Sequence, residues 1–145
     1  MLPLKRILVP VDWTEQSGRA LQVAAKLAQE HNALLITLYV LPIPVMMYGP
    51  APEDYYRHLH EELCRLTPTN AKLRVRSLMA EGDPASVILK VAGENNCDLI
   101  VMGTHGRTGL CRLMMGSVAQ EVARKAPCPV LTVKAETPAE LVGQT

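Results

Sequence analysis

The sequence predicts a single α/β domain built on a five-stranded parallel sheet with helices on both faces. Short apolar runs alternate with stretches of helical period, in the order β-α-β-α-β-α-β-α-β. Alternation of this kind builds a parallel sheet through right-handed crossover connections. The 145 residues, of which 48% are hydrophobic, suit one domain with one core. No second domain or repeat divides residues 1–145, and residues 135–145, which lack any period, are expected to form a flexible tail.

The first half of the chain supplies three of the predicted strands and two of the helices. A charged start followed by an apolar run indicates a buried strand, and the helical spacing of apolar residues after it indicates an amphipathic helix. The second run is apolar throughout, as in a strand buried on both faces, whereas the third alternates and suits a strand near a sheet edge. Four prolines exclude regular structure between Leu41 and Pro52. In chain order these elements are Lys5–Val11, Thr14–His31, Ala33–Val40, Glu53–Leu66 and Leu73–Met79.

The second half of the chain adds two helices and two strands. Asp83 and Pro84 are typical of a helix start, with an acid at the N-cap and proline at the first helical position. A short strand, Leu99–Met102, leads into a loop that contains several glycines. The last helix begins around Gly116-Ser117, where Ser117 could be a simple N-cap. Two prolines end this helix, and Val130–Val133 forms the final strand.

Composition and charge exclude several classes of function. The 15 Lys and Arg nearly balance the 14 Asp and Glu, which argues against nucleic-acid binding through bulk charge. Four Tyr, one Trp and no Phe leave few rings on which bases could stack. Apolar runs fall far short of the roughly 20 residues that span a bilayer, and no secretion signal opens the chain, so we expect a cytoplasmic protein without membrane insertion. The four cysteines form no C-x-x-C pair and are expected to be reduced thiols.

The segment from Gly103 to Ser117 is the strongest candidate for a binding site. Most connections between a strand and a helix take roughly 2–6 residues, so this segment is too long to be a simple turn. Its glycines free the backbone for positive φ and allow a ligand to approach closely, and the N-terminus of the following helix favours an anion. No acid occurs between Asp98 and Glu121, whereas His105, Arg107 and Arg112 are cationic or can become so; these are the charged and titratable residues of the segment. The pattern matches neither the Walker A loop nor the G-x-G-x-x-G fingerprint, and the glycines could instead serve tight turns alone.

The spacing G-x2-G-x9-G-S, at Gly103, Gly106, Gly116 and Ser117, resembles the nucleotide-binding motif of the ATP-binding branch of the universal stress protein family. The resemblance covers nearly the whole chain. It also includes the segments Ile7–Asp12, Ala80–Ala85, Asp98–Gly109 and Cys128–Val133.

This resemblance implies a doubly wound sheet in the order 3-2-1-4-5 and an ATP site where the winding reverses, between strands 1 and 4. ATP would bind there with or without Mg²⁺ or Mn²⁺. Asp12 would contact the ribose or the metal, or alternatively would only cap or pack against the start of the first helix, where Thr14 could supply the cap instead. Pro10, Val11 and the main chain of Val40 would meet the adenine, and Pro10 and Val11 could at the same time be plain core residues. The remaining implied binding residues, which approach from the fourth strand and the phosphate side, are Met102, Gly103, Gly106, Arg107, Gly116, Ser117 and Val118.

Three functions remain open at this stage. The first is a regulatory module that binds ATP, forms a homodimer through the last strand and signals to a partner protein; the strand residues are Val130, Leu131, Thr132 and Val133. The second is a slow ATP phosphohydrolase, for which Asp12 and His105 are the candidate acid or base. The third is a protective dimer without nucleotide. Trp13 could shield or crowd the pocket, and Met46, Met47 and Tyr48 could form a lid, a partner surface or a dimer contact.

Overall fold

The structure of the chain is a computed structural model that describes residues 3–41, 53–67, 72–104 and 116–134. Five strands and four helices alternate along these ranges. The strands are β1 (Arg6–Pro10), β2 (Leu34–Leu41), β3 (Arg74–Glu81), β4 (Leu99–Gly103) and β5 (Val130–Val133); the helices are α1 (Glu15–His31), α2 (Glu53–Leu66), α3 (Pro84–Glu94) and α4 (Ser117–Lys125).

The strands form one parallel sheet in the order β3-β2-β1-β4-β5, which confirms the predicted doubly wound topology. The predicted Met46–Tyr48 segment and the predicted flexible tail lie outside the described residues. None of the helices in the described ranges combines the length and the apolar character that a membrane crossing requires.

Helix boundaries follow from local capping chemistry. The Thr14 side chain accepts a hydrogen bond from the Ser17 N–H and caps α1. Asp83 accepts from the Ser86 N–H at 3.1 Å and places Pro84 in the first turn of α3, as the sequence predicts. Two strands extend further than their apolar patterns indicate. β3 continues to Glu81 because it stays paired with β2, and β4 continues to Gly103.

Side chains alternate between the two faces of the sheet and build a core on each. One face is covered by α3 and α4, and its buried cluster includes Leu8, Ile36 and Met102. The other face is covered by α1 and α2; its clusters include Ile7 and Val9 under α1 and Tyr39, Leu41 and Leu63 near α2. Helices on both faces leave the carboxyl ends of the strands as the edge from which ligand-binding loops leave the sheet.

The two outer strands of the sheet differ in how they are protected. β3 carries exposed charges at Arg74, Arg76 and Glu81, and charged side chains discourage pairing with another strand. β5 consists of Val130–Val133 and holds no charge, and its Leu131 side chain is 40% exposed.

Candidate functional site

The pairing between β1 and β4 stops before either strand ends, and the region between their carboxyl ends is the crevice that a doubly wound sheet offers to ligands. The β1–β4 ladder pairs Ile7 with Leu99 and Leu8 with Ile100, whereas β1 stays paired with β2 as far as Pro10 and Leu38. In a doubly wound sheet this point of reversal is the usual place for a ligand, since the helices that follow the two strands pack on opposite faces. The arrangement brings the turn after β1 and the turn after β4 to the same end of the molecule.

Asp12 shapes the turn after β1. Its Oδ1 accepts hydrogen bonds from the Thr14 N–H at 3.0 Å and from the Thr14 hydroxyl at 2.5 Å, and its own N–H donates to the Ser17 hydroxyl at 3.2 Å. Thr14, rather than Asp12, is the N-cap of α1. Asp12 therefore does not cap α1 but holds Thr14, the residue that does, and its role toward a nucleotide or a metal stays a prediction.

Trp13 follows Asp12 in a left-handed backbone conformation, with φ of 61°. A bulky residue is rare in this region, and such positions gather at functional sites. The indole packs edge-on against the Tyr39 ring, with ring centroids 4.3 Å apart. Tyr39 belongs to the cluster near α2, so the indole packs with the face opposite to the one that buries Met102.

The residues expected near adenine divide between the two faces of the sheet. The side chains of Val40 and Met102 pack on the α3/α4 face, and strand alternation places Pro10 on that face too. Val11 packs instead with Tyr39 on the opposite face, and its N–H donates to the Leu38 carbonyl at 2.8 Å. Val11 is thus a core residue by its side chain.

Three of the residues expected near phosphate, Gly116, Ser117 and Val118, form the start of α4. Gly116 is the N-cap, with no side-chain cap hydrogen bond, and Ser117 is the first helical residue, so the reading of Ser117 as the cap is wrong. Gly116 has φ of −66°, which any residue adopts, so it does not supply the positive φ expected of a loop glycine. Val118 packs partly into the α3/α4 core. His105, Gly106, Arg107 and Arg112 lie outside the described residues.

Sequence reasoning missed two residues beside this site, Gln16 and Thr104. The Thr104 hydroxyl donates to Gln16 Oε1 at 3.2 Å, although the two residues are 88 positions apart in the chain. Thr104 is 5% exposed, so it is a buried polar group at the mouth of the crevice. A threonine directly after a buried strand was the available signal, but nothing local to it identifies Gln16 as the partner.

The described residues offer no ready-made metal centre. Within residues 3–41, 53–67, 72–104 and 116–134, no three His, Cys, Asp or Glu side chains gather so as to hold an ion. His58 and His60 of α2 are both exposed, in agreement with a solvated helix face. A metal at Asp12 would need most of its ligands from a nucleotide and from water, which is how Mg²⁺ commonly binds.

The fold and the crevice define a doubly wound α/β protein with a candidate anion site at a glycine-bounded loop. The model of the universal stress protein family matches residues 3–134, and the chain belongs to that family. It is 36% identical over 141 residues to a universal stress protein of Methanocaldococcus jannaschii, covering 90% of this chain and 82% of the relative.

Solved structures agree with this assignment. The universal stress protein UspA from Lactobacillus plantarum aligns with a TM-score of 0.75 at 26% identity, over 92% of this chain and all of that one. Two further similar structures contain nucleotides. One, at 24% identity and a TM-score of 0.66, is a universal stress protein in complex with cAMP, covering 93% of this chain and 100% of that one. The other, from Archaeoglobus fulgidus, is in complex with dAMP, at 23% identity and a TM-score of 0.67, covering 92% of this chain and 100% of that one.

Proposed function

We propose that this chain is a regulatory module that binds ATP in the crevice between β1 and β4, dimerises through β5 and signals its occupancy to a partner protein. The observation that carries the proposal is the start of α4 at Gly116. This helix begins without a side-chain cap at the carboxyl end of β4, where the strands diverge. The first N–H groups of a helix lack partners within the helix, and they favour an anion such as phosphate.

The two sides of the crevice match the two halves of ATP. Val40 and Met102 lie near the carboxyl ends of β2 and β4, where the partly buried Val40 side chain and the main chain of both residues would suit an adenine ring. Gly103, Gly116, Ser117 and the Val118 N–H lie on the side where phosphates would bind. The proposal adds Gly106 and Arg107 to this side from the sequence motif alone. The structures with cAMP and dAMP support an adenine nucleotide as a ligand class that this fold accepts. If a divalent ion accompanies the nucleotide, Asp12 is the residue that would hold it, and the ion would offset the negative charge of the phosphates.

A regulatory role is favoured over hydrolysis by the surroundings of Asp12. A general base needs an orienting partner and a clear path to the attacking water. The Asp12 carboxylate instead holds the Thr14 N–H and hydroxyl, which fixes the start of α1. We therefore expect bound ATP to turn over far more slowly than the ordinary enzyme median of about 10 per second. Phosphate release by purified protein measures this rate, and a rate near that median would favour the hydrolase.

The dimer proposal rests on the contrast between the two sheet edges. Natural proteins protect edge strands, and β3 does so with Arg74 and Arg76, whereas β5 offers an uncharged edge with an exposed Leu131. Two copies of β5 related by a twofold axis would satisfy both edges at once.

Nucleotide binding can be tested with substitutions at Gly116. Because its φ of −66° is open to any residue, Gly116→Val adds bulk at the phosphate approach without forcing the backbone. We expect calorimetry to show ATP binding by the wild type and none by Gly116→Val, with Gly116→Ala intermediate. Circular dichroism would check that all three are folded. Equal ATP affinity in all three proteins would remove the glycine loop from the site.

A further inference from the structure

Thr104 uses three polar groups to join three different elements at the mouth of the crevice. Its hydroxyl donates to Gln16 Oε1 in the first turn of α1 at 3.2 Å. Its N–H donates to the Val133 carbonyl in β5 at 3.1 Å, and its carbonyl accepts from the Gly116 N–H at 2.6 Å. All of this occurs at a residue that is 5% exposed, where a hydrogen bond that is lost is not readily replaced by water.

Gln16 reaches Thr104 because β4 ends in glycine. A Cβ on Gly103 would lie 2.9 Å from the Gln16 Cβ and 3.4 Å from its Oε1. The Gln16 side chain therefore passes directly over the Gly103 backbone to the neighbouring hydroxyl. The absence of a side chain at residue 103 and the hydrogen bond at residue 104 form one arrangement.

The bond between Thr104 and Gly116 sets the position of α4. Thr104 directly follows β4, and Gly116 directly precedes α4. The Gly116 N–H donates a hydrogen bond to the Thr104 carbonyl. α4 has no side-chain cap hydrogen bond, and this backbone bond ties its N-terminus to the end of β4. A displacement of Thr104 would carry the first turn of α4 with it.

We propose that Thr104, held by Gln16, is a positioning residue that places the N-terminus of α4 for the phosphates of the nucleotide. The identity of the ligand rests on the proposed function, whereas the hydrogen bonds of Thr104 do not depend on it. Gln16 accepts the hydrogen bond of the Thr104 hydroxyl, and the Thr104 carbonyl accepts that of the Gly116 N–H. These two bonds together orient the N–H groups of the first turn of α4. The hydrogen bond between Gln16 and Thr104 thus acts on the ligand through α4 rather than by touching it.

The test compares two variants, each of which removes one buried threonine hydroxyl. Thr104→Val deletes the hydroxyl that donates to Gln16 and nearly preserves the shape, and Thr104→Ser restores it. Thr37→Val is the matched control, because Thr37 is also buried and its hydroxyl donates to Ser77 at 2.9 Å, between β2 and β3. We expect Thr104→Val to raise the Kd for ATP about tenfold, the effect of losing one buried hydrogen bond, with Thr104→Ser near the wild type. Thr37→Val should lower the unfolding temperature without changing the Kd.

A second readout needs no nucleotide. Amide exchange at Gly116, followed by NMR on the free protein, should be about tenfold faster in Thr104→Val, since local opening reports the same lost bond. Gln16→Leu should reproduce this change, and the double variant should add little to either single one. Unchanged exchange in Thr104→Val would overturn the positioning role. If the wild type binds no ATP but exchange still accelerates, the proposed function fails and the positioning of α4 by Thr104 stands.

Discussion

Replacing Gly103 with alanine is expected to destabilise the protein through a steric conflict with α1. The added Cβ would lie 2.9 Å from the Gln16 Cβ and 3.4 Å from the Gln16 backbone carbon. The partner is part of a helix rather than the end of a flexible side chain, so β4 and α1 would have to separate. Among the described glycines, Gly82 alone has a positive φ, so the conflict at Gly103 is one of space and not of backbone conformation.

The magnitude follows from the cost of overpacking a close contact, about 1–3 kcal/mol. For a chain of this size each kcal/mol lowers Tm by roughly 2–4 °C, so the expected fall is roughly 2–12 °C. Gly18→Ala is the matched control, two positions beyond Gln16 on the same helix. A Cβ at Gly18 meets nothing within 4 Å. Alanine there should raise the stability by up to about 1 kcal/mol, because glycine is a poor helix former.

Thermal and urea unfolding of the wild type and the two alanine variants would measure both effects. The two substitutions are chemically identical and have opposite expected signs, so changes in the unfolded chain affect both alike. A Gly103→Ala protein as stable as the wild type would show that α1 does not press against the end of β4 as described. A destabilised Gly18→Ala protein would show that a Cβ at Gly18 does not point into open space.

Two further outcomes follow from other parts of the molecule. Leu131→Lys places like charges near the twofold axis of the proposed β5 dimer and should shift the protein toward monomer in sedimentation experiments. Val75→Lys, on the exposed part of β3, is the control and should leave the dimer unchanged. A wild-type monomer at micromolar concentration would contradict the dimer. Burial, with further contributions from Cys128 and Asp98, raises the pKa of Cys97 from 9.0 to about 11. The folded protein therefore keeps this proton at a pH where the unfolded chain has lost it, and its free energy of unfolding should fall as pH rises from about 9 to about 11. Urea unfolding across that range should show a smaller fall for Cys97→Ala, and an identical pH profile in both proteins would be the contrary result.

Much of the fold could be predicted because its determinants are local. Asp83 followed by Pro84 placed the start of α3, and the apolar runs located all five strands to within about two residues. The sheet order came from the resemblance to a family, since nothing in the periodicity distinguishes 3-2-1-4-5 from other doubly wound orders. The site was predicted as a set of positions, but its internal geometry was not, since Gly116 rather than Ser117 caps α4.

The sequence by itself determined which segments become strands and helices, that the glycine-bounded loop lies between a strand and a helix, and that the chain carries no strong excess of charge. These properties depend on neighbours within a few residues and on composition. The tertiary structure alone decided where β1 and β4 separate, which face receives Trp13, and which residue holds the start of α4. Thr104 and Gln16 stand 88 positions apart and meet only because the crossovers bring two strand ends to one edge of the sheet. A hydrogen bond of that kind depends on the packing of α1 over β4, and no local pattern in either segment encodes it.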